Sequence, residues 1–104
     1  MIPLDSKYTD EYGEEYPTLE YLKAIEVEDD RNRLLRMIEE GWWCPQWGYL
    51  YTHGKNMDFL QLHTAGWSGN ESIISALERN KPFWNHMVKE FPGGHYYFQF
   101  PKAR

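Results

Sequence analysis

Apolar and polar positions along the chain change their period several times, and each change marks an element. In "YPTLEYLKAI", Leu19, Leu22 and Ile25 share one helical face, with Thr18 placed as N-cap and Pro17 just outside it. "EDDRNRLLRMIEEG" continues or restarts the helix. Leu34, Leu35 and Ile38 form its stripe, Asp29 or Asp30 can cap it, and Gly41 takes the position just past its end. Pro45 then excludes a helix interior, and Trp47, Tyr49 and Tyr51 alternate with Gly48, Leu50 and Thr52 at the period of a strand. "HGKNM" is a turn signal, and "MDFLQLHT" reads as the next strand. "NESIISALERN" returns to helical spacing through Ile73, Ile74 and Leu77; Asn80 ends that helix and Pro82 opens another. "PFWNHMVKEF" is predicted helical because Phe83, Met87 and Phe91 recur at steps of four. "PGG" breaks it, and "HYYFQF" is a last strand with Tyr96, Phe98 and Phe100 on one face and His95, Tyr97 and Gln99 on the other.

These elements predict an α+β fold. About three strands, roughly 47–53, 57–64 and 95–100, form a small antiparallel sheet with the helices packed on one face. A chain of 104 residues supports one such core and not two. Residues 1–16 show no clean period; they read as an acidic, Tyr-rich arm whose Tyr8, Tyr12 and Tyr16 are spaced to pack onto a single domain over 17–104.

Charge sharpens this division. The formal net charge is −5, but residues 1–30 carry −8 and residues 31–104 carry +3. An acidic first third is usually a solvated face, and its sharper reading is a lure for a basic partner. With no basic cluster, nucleic acid is an unfavourable partner. A lone cysteine, Cys44, forms no intramolecular disulfide, which excludes a disulfide-stapled secreted domain. No apolar run is long enough to span a membrane and no signal-peptide pattern opens the chain, so no membrane association and a cytoplasmic location are expected.

Three chemistries compete for the loop Gly66-Trp67-Ser68-Gly69-Asn70. A nucleophile elbow needs Gly two places after Ser, where this chain has Asn70. A phosphate cradle at the helix start is compatible with the glycines, with Trp67 as a stacking surface, but no P-loop Lys follows. A capping box needs no ligand: Ser68 and Glu71 stand at the Ser-x-x-Glu spacing, and Gly66 and Gly69 free the backbone. That account uses four of the five residues and is preferred.

Elsewhere the chemistry is sparse. His53, His63, His86 and His95 stand at no metal-ligand spacing and Cys44 has no CxxC partner, so neither a metal site nor a cofactor is expected. A thiol enzyme is disfavoured because the neighbours of Cys44, Trp43 and Pro45, would raise the thiol's pKa. If their strands are neighbours, His63 and His95 approach across the sheet. The densest feature is the aromatic group Trp42, Trp43, Trp47, Tyr49 and Tyr51; alternation keeps all five from entering one core, so part of it is expected to line a binding face.

At "LHTAGWSGNESIISAL", "PFW" and "GGHYYFQF" the C-terminal half resembles small uncharacterised proteins of phages and prophages. The resemblance implies such an origin and no particular activity. The preferred expectation is a non-catalytic accessory protein that binds a host protein with a basic or apolar surface, through Trp42, Trp43, Trp47, Tyr49 and Tyr51. The alternative is a phosphate- or nucleotide-type anion site, or a hydrolytic one, at the Gly66–Asn70 loop with Trp67, Ser68, His63 and His95. Self-association is left open.

Overall fold

A computed structural model describes residues 7–102. Strands β1 (Lys7–Thr9) and β2 (Glu15–Pro17) pair antiparallel. Their turn closes because Asp10 Oδ1 accepts the N–H groups of both Tyr12 and Glu14, and Tyr8 stacks on Tyr16 at 5.5 Å. From residue 7 on, the stretch read as an arm is therefore a hairpin; residues 1–6 lie outside the described residues.

Helix α1 (Leu19–Val27) starts where expected, with Thr18 Oγ1 accepting the N–H of Tyr21. Helix α2 (Arg31–Gly41) is separate from it and is capped by Asp30, whose Oδ1 accepts the N–H of Arg33. A single helical turn, α3 (Pro45–Gly48), leads into β3 (Tyr49–His53), with β4 (Met57–His63) after the turn. Then come α4 (Ser68–Arg79), α5 (Lys81–Trp84), β5 (Met87–Phe91) and β6 (His95–Pro101).

The fold is α+β, but the main sheet has four antiparallel strands in the order β3-β4-β6-β5 rather than about three. The fourth lies inside the stretch predicted to be helical. Asn80 caps α5 through the N–H of Phe83, and Pro82 suits its first turn, but the helix ends after one turn at Asn85. Gly93 and Gly94, at φ 95° and 86°, then reverse the chain tightly enough for residues 87–91 to pair with β6. The four-residue spacing of Phe83, Met87 and Phe91 mimicked a helix; the hydrogen-bonding edge of β6 outweighed it.

The core lies between the helices and one face of this sheet. Leu60, Leu62, Phe98 and Phe100 meet Ile25, Leu34, Ile38, Trp42, Ile73 and Leu77, all buried. Asn80, also buried, donates to the carbonyls of Ile25 and Glu28 at 2.8 Å each, tying the end of α1 to the start of α5. Among the described residues no helix is long and apolar enough to cross a membrane.

Candidate functional site

Because strand side chains alternate, burying Leu60, Leu62, Phe98 and Phe100 turns their neighbours to the opposite face. The register sets these in rows. Phe59 faces Gln99 with Thr52 beside Phe59; Gln61 faces Tyr97, flanked by Leu50 and Lys89; His63 faces His95, flanked by Phe91. No described helix covers this face. Leu50, Phe59, Val88 and Phe91 remain 48%, 36%, 51% and 48% exposed. Thr52, Phe59, Gln61, Val88, Phe91 and Tyr97 border a groove of ≈ 390 Å³, within the size range of binding sites. A bulge between Met87 and Lys89 shifts β5 and places Val88 on its border.

At one end of this face His63 and His95 meet, as expected if their strands were neighbours. The backbone bond from Thr64 N–H to Gly94 C=O, 2.9 Å, makes His63/His95 the non-hydrogen-bonded kind of antiparallel pair, in which facing side chains lie closest. Their Nδ1 atoms are 2.8 Å apart, and His63 Nε2 is 3.2 Å from Gln61 Oε1. The carboxamide oxygen accepts the Nε2–H of His63. This leaves His63 Nδ1 bare to accept the Nδ1–H of His95. Burial, and then the charge of His95, hold His63 below its ordinary pKa.

The loop 64–70 is built differently from the expectation. The N-cap of α4 is Trp67, whose carbonyl accepts the Glu71 N–H, and no side chain caps the helix. The Ser68–Glu71 capping box is therefore not formed. Ser68 stands one residue inside the helix because Ala65 and Gly66, at φ 56° and 76°, turn the chain early and Trp67 packs on Trp43 at 4.2 Å. A Cβ on Gly69 would lie 2.7 Å from the Glu15 carbonyl oxygen, so β2 sits directly on the first turn of α4. That contact covers the helix end an anion would need. Asn70, wholly buried, accepts the Trp43 N–H at 2.8 Å and donates to the carbonyls of Trp43 and Thr64 at 3.3 and 3.5 Å. The structure thus brings Trp67 to Trp43 and His63 to His95, and leaves Ser68 exposed.

The aromatic group does not form one surface. Trp42 is fully buried, which removes it from any binding face; it ends α2 on the side that faces the core. Trp43 is half-buried against Trp67. Tyr49 and Tyr51 lie on the inner face of β3, where the Tyr49 hydroxyl donates to the Leu35 carbonyl and the Tyr51 hydroxyl to Asp58 Oδ2. Only Trp47, at 77% exposure, stands clear of the fold. The helical turn α3 breaks the alternation that would have set Trp47 in phase with the two tyrosines.

Asp58 is buried at the other end of the sheet and accepts from Tyr51, from His53 Nδ1 at 3.0 Å and from Lys102 Nζ at 3.2 Å. Burial alone would raise its pKa, but these donors outweigh burial and hold the carboxyl below its ordinary value. The cluster pins the end of β6 to the β3–β4 hairpin. Among the described residues no three His, Cys, Asp or Glu side chains gather to hold a metal ion.

Reading the sequence missed Phe59, Gln61, Val88, Lys89 and Phe91 as surface groups. One signal was present: in "DFLQL" apolar residues occupy both phases of the alternation, which one buried face does not require. No family model, curated protein or solved structure matches this chain.

Proposed function

We propose that the chain is a small non-catalytic accessory protein of phage or prophage type, which engages a host protein through the open face of its four-stranded sheet. One observation carries the reading: four large apolar side chains, Leu50, Phe59, Val88 and Phe91, stand exposed on or beside the uncovered face of a sheet whose other face packs against the helices. Exposed apolar surface gathered on one side marks a contact surface. Strands about 4.8 Å apart with about 3.3 Å per residue give this face roughly 400 Å² in projection, half of the roughly 800 Å² per partner in a standard interface. The partner therefore extends over the rim. Its fitting chemistry is an apolar patch, the complement of Leu50, Phe59, Val88 and Phe91.

The test compares wild type with the doubly substituted Phe59→Glu/Phe91→Glu chain, whose altered positions are exposed. Loss of the captured host protein by the variant, with an unchanged melting curve, is expected. Retention of that protein by the variant refutes the reading. So does a wild-type dimer that the variant abolishes, since a second copy would then occupy the face.

A further inference from the structure

We propose that His63 and His95 form a two-histidine binding site for a divalent transition-metal ion of the copper(II) or nickel(II) class. The inference goes beyond the docking reading and stands without it.

The pairing that builds the site is specific. His63 and His95 face each other on the two central strands, β4 and β6, each held by a further strand on its outer side. At the pair itself His95 is matched on both sides, by His63 and by Phe91, and His63 is matched by His95. The two Nδ1 atoms stand 2.8 Å apart. Imidazole–metal bonds of about 2.0–2.1 Å place two donors at right angles about 2.8–3.0 Å apart, the spacing of neighbouring positions in a tetragonal copper or nickel complex. The nitrogens already hold that separation. What must change is direction: each ring turns about χ2, a soft torsion, so that the two Nδ1 atoms, now joined through the His95 proton, both point at one ion.

Proton bookkeeping favours the same reading. Gln61 Oε1 holds the Nε2–H of His63, which keeps Nδ1 free of hydrogen. This is the outer hydrogen bond that orients and activates a ligating imidazole. His95 moves its ring proton from Nδ1 to Nε2, with no net proton released when both rings are neutral. Two protein donors leave the other coordination positions to water or to a carboxylate or imidazole of a docked molecule. Phe91, opposite His95 in the register, sets the apolar border of the groove on that side.

The experiment titrates the full, tag-free chain with copper(II) sulfate or nickel(II) chloride, followed by calorimetry and, for copper, by electron paramagnetic resonance. One ion per chain is expected, with nitrogen hyperfine structure from two imidazoles and a melting temperature that rises with the ion. His95→Gln and His63→Gln should each lower affinity at least about tenfold, and Gln61→Ala by about tenfold through loss of ring orientation. His53→Gln, at the far end of the sheet, should leave affinity unchanged. Melting curves without metal show that each variant is folded. Equal affinity in wild type and His95→Gln, or no binding of either ion up to millimolar concentration, overturns the proposal.

Discussion

Replacing Asn70 by Ala tests how the loops at the His63 end of the sheet are held. The Asn70 side chain is wholly buried and spans two segments far apart in sequence, accepting from the Trp43 N–H and donating to the Trp43 and Thr64 carbonyls. Alanine leaves the Trp43 N–H without this acceptor and takes a donor from two carbonyls. A stranded buried polar group costs about 1–3 kcal/mol. The N–H bond, at 2.8 Å, is the strongest of the three and dominates, while the longer bonds to the carbonyls add less. The total comes to about 3 kcal/mol. At roughly 4–8 °C per kcal/mol for a domain of this size, the melting temperature falls by roughly 12–24 °C. The assay is urea and thermal unfolding followed by tryptophan fluorescence, which Trp43 and Trp67 report directly.

Asn70→Asp separates hydrogen bonding from volume. The carboxylate still accepts from Trp43 but faces two carbonyl oxygens to which it donates nothing. That environment raises its folded pKa above the roughly 3.9 of an unfolded Asp. Its destabilisation is then largest at neutral pH and relaxes as pH falls through the raised folded value, because the protonated acid regains a donor. If Asn70→Ala lies within about 0.5 kcal/mol of wild type, this side chain does not hold the two loops together and the reasoning fails.

Three further outcomes follow from single contacts. Gly94→Ala would drive a Cβ into Thr64 Oγ1 at a φ of 86°, so the variant should lose several kcal/mol, on the order of 3 or more, in chemical denaturation; near-wild-type stability would contradict the tight β4–β6 approach. Ser68→Ala should change stability by less than about 0.5 kcal/mol because Ser68 is exposed and caps nothing; a loss near 1 kcal/mol would restore the capping box. Because the folded pKa of His63 lies below its ordinary 6.5, the unfolded chain takes up a proton there first. This contribution is intact above about pH 6.5 and is lost as pH falls toward the lowered folded value; a His63→Gln chain with the same slope of stability against pH between 7 and 5 would refute it.

Much of the framework was legible in the sequence because it rests on local physics. Helical spacing placed Leu34, Leu35 and Ile38 on one stripe, Thr18 and Asp30 capped the first two helices as their chemistry allows, and period-2 alternation located the three strands containing Tyr51, Leu60 and Phe98. Where local signals conflicted, tertiary structure decided. Met87–Phe91 became a strand because β6 offered it backbone partners that a helix could not use. The N-terminus of α4 moved to Trp67 because Trp43, distant in sequence, gave that ring a surface to pack on. Trp42 went inside and Trp47 outside because the single helical turn that contains Trp47, between Trp42 and β3, reset the phase, which no window of alternation records. The open face and the His63–His95 pair depend on pairing between strands more than thirty residues apart. The sequence determined which side chains alternate; only the register determined which of them face each other and which face is left without a cover.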